Sequence, residues 1–85
     1  MLKIKIKFFG ILKDYFDDID LNIEPNSTLL SLKEHIINKH LDNTSYYLKQ
    51  TIYKSIFSNN DKFLDDSENI KENCTIYLLP PFSGG

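Results

Sequence analysis

The residues best suited to chemistry are the last two, Gly84 and Gly85. The sequence contains three glycines, and two of them stand together at its end. A carboxylate on Gly85 is a poor electrophile, because its charge repels nucleophiles and it has no leaving group. Conversion to a mixed anhydride with phosphate, inside another protein's ATP pocket, removes both obstacles. Because glycine lacks a Cβ and can thread a narrow channel, the pair indicates an acyl group that is activated and then accepts sulfur or an amine.

The residues before this pair favour a stiff exit from a folded domain. Pro80 and Pro81 stop the preceding strand, because proline donates no backbone hydrogen bond, and they hold the chain extended. Phe82 follows as an apolar anchor, and Ser83 is small. From Pro80 onward the extended chain reaches about 20 Å. We expect a flexible tail that enters a pocket of another protein.

Other residue types that bind metals or catalyse reactions do not group together in the sequence. His35 and His40 are five residues apart, about 140° round a helix, and so do not share a face as a zinc pair would. Cys74 has no cysteine or histidine neighbour at metal-ligand spacing and is expected to be a buried structural thiol. The acidic residues lack the spacing of a calcium loop. We therefore expect no metal site, no cofactor bound by the chain and no catalytic group of its own beyond the chain end.

Composition limits the class of protein. A length of 85 residues makes a single domain, and 41% hydrophobic with 26% charged residues is typical of globular chains. The net charge is −2 and all ten cationic residues are lysines, which argues against a nucleic-acid-binding surface. One cysteine fits a reducing cytoplasm, and neither a signal-peptide core nor an apolar run of ~18 residues is present, so no membrane partner is expected. These properties favour a small cytoplasmic carrier, binding module or subunit.

Apolar periodicity predicts the elements that must position the tail. Alternation with a period of two predicts an antiparallel pair of strands at 2–8 and 19–23. Ser27 or Thr28 is expected to cap a helix that spans residues 28–41. Its expected apolar stripe consists of Leu29, Leu30, Leu32, Ile36, Ile37 and Leu41. Lys33 lies inside this stripe, and we expect its ammonium group to reach solvent.

The second half of the chain is less clear. Residues 46–54 are ambiguous and are compatible with a helical turn that leads into a strand. Further strands are predicted at 52–58, 62–64 and 75–79. The predicted fold is α+β: residues 1–79 form a mixed sheet of four or five strands packed on one main helix, and residues 80–85 form the tail.

With these features in place, the sequence resembles the small subunit of molybdopterin synthase, the MoaD family of ubiquitin-like β-grasp sulfur carriers. Two stretches carry the resemblance, Phe-Phe-Gly-Ile-Leu-Lys-Asp at 8–14 and residues 70–85, above all Leu-Pro-Pro-Phe-Ser-Gly-Gly at 79–85. The helix stands where the family places its own. Lys13 stands where the family has arginine, and residues 46–54 make the middle of the chain longer than is typical.

The resemblance implies a mechanism and partners. A MoeB-like, E1-like enzyme uses ATP to adenylate Gly85, and a sulfur donor converts the adenylate to a thiocarboxylate. The tail then enters the MoaE-like large subunit of the synthase, where its sulfur passes to cyclic pyranopterin monophosphate. The residues expected to guide the tail are Pro80, Pro81, Phe82, Ser83 and Gly84. Those expected to dock the partners are Phe9, Leu79 and Phe82.

Three other functions remain open from the residues. A ThiS-like sulfur carrier for thiazole synthesis shares the fold and the Gly-Gly end, although the double proline, Phe82 and the chain length argue against it. A ubiquitin-like modifier would join the same end to a lysine. A plain interaction domain would carry the tail without using it.

Overall fold

The computed structural model describes residues 1–41 and 45–81. Within these residues the strands are β1 Leu2–Phe8, β2 Ile19–Ile23, β3 Ile56–Ser58, β4 Phe63–Leu64 and β5 Cys74–Leu79. The helices are α1 Leu29–His40 and α2 Tyr46–Lys54, and a 3₁₀ turn, Gly10–Asp14, follows β1. The five described strands form one sheet in the order β2-β1-β5-β3-β4. β1 and β5 are parallel and the other neighbours are antiparallel, so the sheet is mixed, as predicted.

The first two strands pair as their alternation predicts. β1 lies antiparallel to β2, and Lys5 is opposite Asp20 in the register. Lys7 and Asp18 approach to 3.9 Å on the same outer face. The apolar residues of both strands point to the inner face, where all but the half-buried Leu2 are buried. A one-residue shift of register would expose them, so burial fixes the pairing.

α1 covers the inner face of the sheet and begins where predicted. The Oγ1 of Thr28 accepts a hydrogen bond from the Ser31 N–H at 3.2 Å, which is an N-cap. The N–H groups of Leu29 and Leu30, in the first turn of α1, donate to the carbonyls of Glu68 and Asp66, each at 3.0 Å. The loop that follows β4 is therefore fastened to the start of α1.

Two residues of the predicted apolar stripe of α1 behave differently from expectation. Leu30 was expected inside the stripe but is 41% exposed, because it lies about 100° from the stripe's centre. Lys33 lies only about 40° from that centre, and the prediction that its ammonium reaches solvent is wrong. Its side chain is buried, with 1% of the residue exposed.

Lys33 can stay buried because three acceptors surround its ammonium group. The Nζ donates to the carbonyls of Tyr53 at 3.1 Å and Ser55 at 2.5 Å, and it lies 2.8 Å from a carboxylate oxygen of Asp66. All three ammonium protons therefore have partners. The contact joins α1, the end of α2 and the loop after β4.

Residues 46–54, which the sequence left open, are helical. Ile52 is fully buried, and the hydroxyl of Thr51 donates to the Tyr47 carbonyl at 2.8 Å within the helix. The strand predicted at 52–58 therefore begins only at Ile56. The described chain has two helices rather than one main helix alone, and the α+β class of fold is confirmed.

Candidate functional site

The root of the predicted tail lies at the end of β5, in the middle of the sheet. β5 is flanked by β1 on one side and by β3 on the other. Leu78, the second-last residue of β5, is fully buried. Pro80 is half-buried and Pro81 is exposed. The other predicted tail residues, Phe82, Ser83, Gly84 and Gly85, lie outside the described residues. The structure thus gives the base from which the tail begins and leaves the roles of these four residues as predictions.

The fold brings together the two sequence stretches that carry the resemblance. Because β1 and β5 are parallel neighbours, their carboxyl ends lie at the same edge of the sheet, with Phe8 beside Leu78. The N–H of Phe9 donates to the Leu78 carbonyl at 3.1 Å. The segment after β1 therefore lies directly against the root of the tail.

Apolar side chains are exposed on the outer face beside this root. Phe9 is 44% exposed, and its ring centroid lies 5.4 Å from that of Tyr77. Leu79 is half-buried and pairs with Ile56, which is also exposed. We call these four residues, Phe9, Tyr77, Leu79 and Ile56, the outer apolar patch. An exposed apolar group of this kind is typical of an interaction surface.

Two of the three predicted docking residues lie in this patch, and their docking role stays a prediction. Phe9 and Leu79 were expected as docking residues, whereas Tyr77 and Ile56 were missed. Tyr77 could have been found from the alternation of β5, because it stands between the inward-facing Ile76 and Leu78. Ile56 could not, because its side of the sheet depends on where β3 begins.

The rest of the outer face carries charged side chains of both signs, which lie close to one another. Lys5 lies opposite Asp20 of β2, and the Lys7 ammonium lies 3.9 Å from the carboxylate of Asp18, the residue before β2. This arrangement gives no uniform basic surface among the described residues of the sheet, so the described sheet face offers no long run of phosphate contacts.

The other candidate residues are not brought to this site. His35 and His40 are both exposed on α1. Partial burial lowers the pKa of His40, helped by the nearby positive charge of Lys39 and by His35.

Across residues 1–41 and 45–81, the His, Cys, Asp and Glu side chains form no group of three that could hold a metal ion. No helix in these same ranges is both long and apolar enough to cross a bilayer.

Cys74, the candidate thiol, lies at the end of the sheet opposite to the root of the tail. It is the first residue of β5, half-buried, and it borders an open crevice of about 530 Å³ that is also lined by Lys3 and Asn73. Burial raises the pKa of its thiol, and the negative charge of Glu72 adds to the effect. The thiol is therefore mostly protonated at neutral pH and is a weak nucleophile.

Comparisons with known proteins identify the fold. Neither protein-family models nor curated proteins give a match to this sequence. Among solved structures, a protein described as molybdopterin converting factor, subunit 1, from Pyrococcus furiosus aligns with a TM-score of 0.69 and 14% identity, over 96% of this chain and 100% of that one. SAMP1 from Haloferax volcanii aligns with a TM-score of 0.70 and 17% identity, over 98% and 99%. The ubiquitin of Caldiarchaeum subterraneum gives 0.63 and 18%, over 99% and 98%. The chain therefore has a ubiquitin-like β-grasp fold.

Proposed function

We propose that this chain is the sulfur carrier subunit of a molybdopterin synthase. One observation carries the proposal: the Pro-Pro-Phe-Ser-Gly-Gly sequence at 80–85 follows the central strand of a ubiquitin-like β-grasp domain. The similarity in fold to a molybdopterin converting factor subunit supports it. The proposal requires that Gly85 carry the free carboxylate of the chain.

The chemistry at Gly85 is an activation followed by a substitution. A carboxylate oxygen attacks the α-phosphorus of ATP in an E1-like enzyme, and pyrophosphate leaves. Hydrosulfide supplied by a sulfur donor then attacks the acyl carbon and displaces AMP, which leaves a thiocarboxylate. In a MoaE-like large subunit the sulfur passes to cyclic pyranopterin monophosphate, and water restores the carboxylate. The chain supplies the acyl group and a docking surface, and its partners supply the catalytic residues.

The outer apolar patch is the proposed docking surface for both partners. Its position next to Pro80 means that a partner covering Phe9 and Leu79 would lie over the root of the tail. Phe82, the third predicted docking residue, lies outside the described residues, and its role remains part of the proposal.

We expect Phe9→Ala to weaken binding to the large subunit about 5- to 30-fold, because truncation of a buried interface aromatic costs ~1–2 kcal/mol. The fold should persist, since nearly half of Phe9 is exposed. Titration calorimetry of the purified pair measures the effect. Tyr46→Ala is the matched control, because Tyr46 is 71% exposed on α2 and lies outside the patch. An equal loss in both variants would contradict the docking role of Phe9.

A ubiquitin-like modifier is the second candidate, and the similarity in fold to ubiquitin favours it. A modifier would use the same adenylate but would pass the acyl group to a lysine amine. The two functions differ in product. A carrier yields free chain with sulfur at Gly85, and a modifier yields larger adducts.

Coexpression with an E1-like enzyme and a sulfur source tests the proposal. The proposal predicts that the purified chain gains the mass of one oxygen-to-sulfur exchange. A ladder of high-molecular-weight adducts would support the modifier instead. Adding the large subunit and the pterin precursor then separates a molybdopterin carrier from a ThiS-like one, since only the former should form the dithiolene.

A further inference from the structure

Gly10 lies in contact with the root of the tail. Its φ angle is +59°, and an ideal Cβ built on it would lie 2.8 Å from Cγ of Pro80 and 3.4 Å from its Cδ. Cβ atoms in proteins essentially never approach another atom closer than 3.0 Å. The Pro80 ring therefore occupies space that only glycine leaves free.

The backbone of Gly10 is held in place from both sides. Before it, Phe9 is bonded to the Leu78 carbonyl. After it, Leu12 is fully buried and its carbonyl accepts from the Phe16 N–H at 3.0 Å, while the ring of Phe16 stacks on that of Phe8 at 4.7 Å. The clash caused by a Cβ at position 10 would therefore be relieved by movement of Pro80, which directly follows β5, rather than by movement of Gly10.

A displacement of Pro80 is passed on along the chain. Proline fixes its own φ near −65°, and a residue that precedes a proline is restricted to extended conformations. Leu79 and Pro80 both precede prolines, so the 79–81 segment has few ways to absorb a shift. The position of the Pro80 ring thus sets where and in which direction residue 81 is presented.

We infer that Gly10 is a positioning residue for the tail, which acts by leaving room for the Pro80 ring against the segment after β1. The inference depends on the proposed function in one respect: the proposed function supplies the reaction whose rate the position of the tail affects. A reacting carboxylate must reach its target within a narrow geometry, and small misplacements cost up to about 100-fold in rate. Gly10 does not touch the reacting atoms and is not a catalytic residue.

Two substitutions separate the contact with Pro80 from the strain of a positive φ. Asn26 adopts a φ of 68° in this same chain, so asparagine tolerates the conformation that Gly10 has. Gly10→Asn therefore adds a Cβ next to Pro80 with little backbone strain. Asn26→Ala is the matched control, because it places an alanine at almost the same φ far from the tail, and the backbone bond of Asn26 to Ile70 is kept.

Adenylation kinetics with the E1-like enzyme test the inference. Gly10→Asn should lower kcat about 10-fold and change KM less than twofold, because the outer apolar patch is intact while the tail is redirected. Asn26→Ala should lower Tm by roughly 5–10 °C and leave kcat unchanged at 20 °C. In a Pro80→Ala background, which removes Cγ and Cδ, Gly10→Asn should cause no further loss. An unchanged kcat in Gly10→Asn, or the same loss in both backgrounds, would overturn the inference and leave the proposed function standing.

Nuclear magnetic resonance gives a readout that does not depend on the reaction. We expect a nuclear Overhauser contact between Gly10 Hα and Pro80 Hγ in the wild-type chain. Gly10→Asn should remove it and shift the amide resonances of residues 82–85, whereas Asn26→Ala should do neither. If the wild-type chain is not adenylated, the proposed function fails and these spectra alone decide the inference. Unchanged tail resonances in Gly10→Asn would overturn it.

Discussion

Removal of Gly85 should lower the rate of adenylate formation by a factor of about 1,000 or more. The new terminal carboxylate would sit on Gly84, one residue or ~3.4 Å short of the position that the activating enzyme reaches. A shift of about 1 Å alone can cost 100-fold when the reacting groups must be aligned. ATP–pyrophosphate exchange, measured at saturating concentrations of the chain, gives the effect directly.

Two controls show whether the loss comes from the end of the chain. An alanine appended after Gly85 should be as inactive as the deletion, since it buries the original carboxyl in a peptide bond and places a Cβ in the channel. Lys39→Ala, on the exposed side of α1, should keep the rate, because it leaves the tail and its length unaltered. A deletion variant that reacts as fast as the wild-type chain would contradict the proposed role of Gly85.

Lys33→Ala should lower the free energy of unfolding by about 3–5 kcal/mol, the usual cost of breaking a buried ion pair from one side. The ammonium group holds two backbone carbonyls and the Asp66 carboxylate, and alanine would also leave a cavity among buried residues. A domain of this size is stabilised by roughly 4–13 kcal/mol in total, so the variant should lose a large share of its stability. Urea denaturation followed by circular dichroism measures the change.

The partner and a surface lysine provide the comparison for Lys33. Asp66→Ala should cost about 2–3 kcal/mol, because the ammonium group remains buried with two carbonyls as its only partners. The Asp66 side chain is 39% exposed, so its own loss costs less than that of the fully buried lysine. Lys39→Ala on the exposed side of α1 should stay within ~0.5 kcal/mol of the wild type. Equal effects of Lys33→Ala and Lys39→Ala would contradict the buried contact.

The parts of the fold predicted correctly are those with strong local signals. The alternation of β1 and β2 predicts which of their side chains face the core, and Thr28, one of the two expected capping residues, is the observed N-cap of α1. The strand predicted at 75–79 is β5, one residue longer at its start. In each case a single short stretch contains the information, because side-chain period or a cap residue decides the structure locally.

The parts that could not be predicted depend on residues distant in sequence. Lys33 remains buried because Tyr53, Ser55 and Asp66, which are 20 to 33 positions away, supply its acceptors. Periodicity in α1 places the lysine correctly but says nothing about what surrounds it. The contact between Gly10 and Pro80 is likewise absent from the local pattern, since it arises only when β1 and β5 pair in parallel.

The candidate site shows the same division. The residue types at the chain end suggest its chemistry, and the family resemblance suggests Phe9 and Leu79 as docking residues; both stay predictions. Tyr77 and Ile56 join the patch through the pairing of β5 with β1 and β3. The fold is similar both to a ubiquitin and to a molybdopterin converting factor subunit, so the proposed function rests on the tail and must be tested there.

The most direct test is tandem mass spectrometry of the C-terminal peptide after coexpression with the activating enzyme and a sulfur donor. The account predicts one oxygen replaced by sulfur, located at Gly85, in the wild-type chain and equally in a Cys74→Ser variant. Sulfur bound at Cys74, a chain that continues beyond Gly85, or an unmodified Gly85 under conditions in which the enzyme is active would each contradict it.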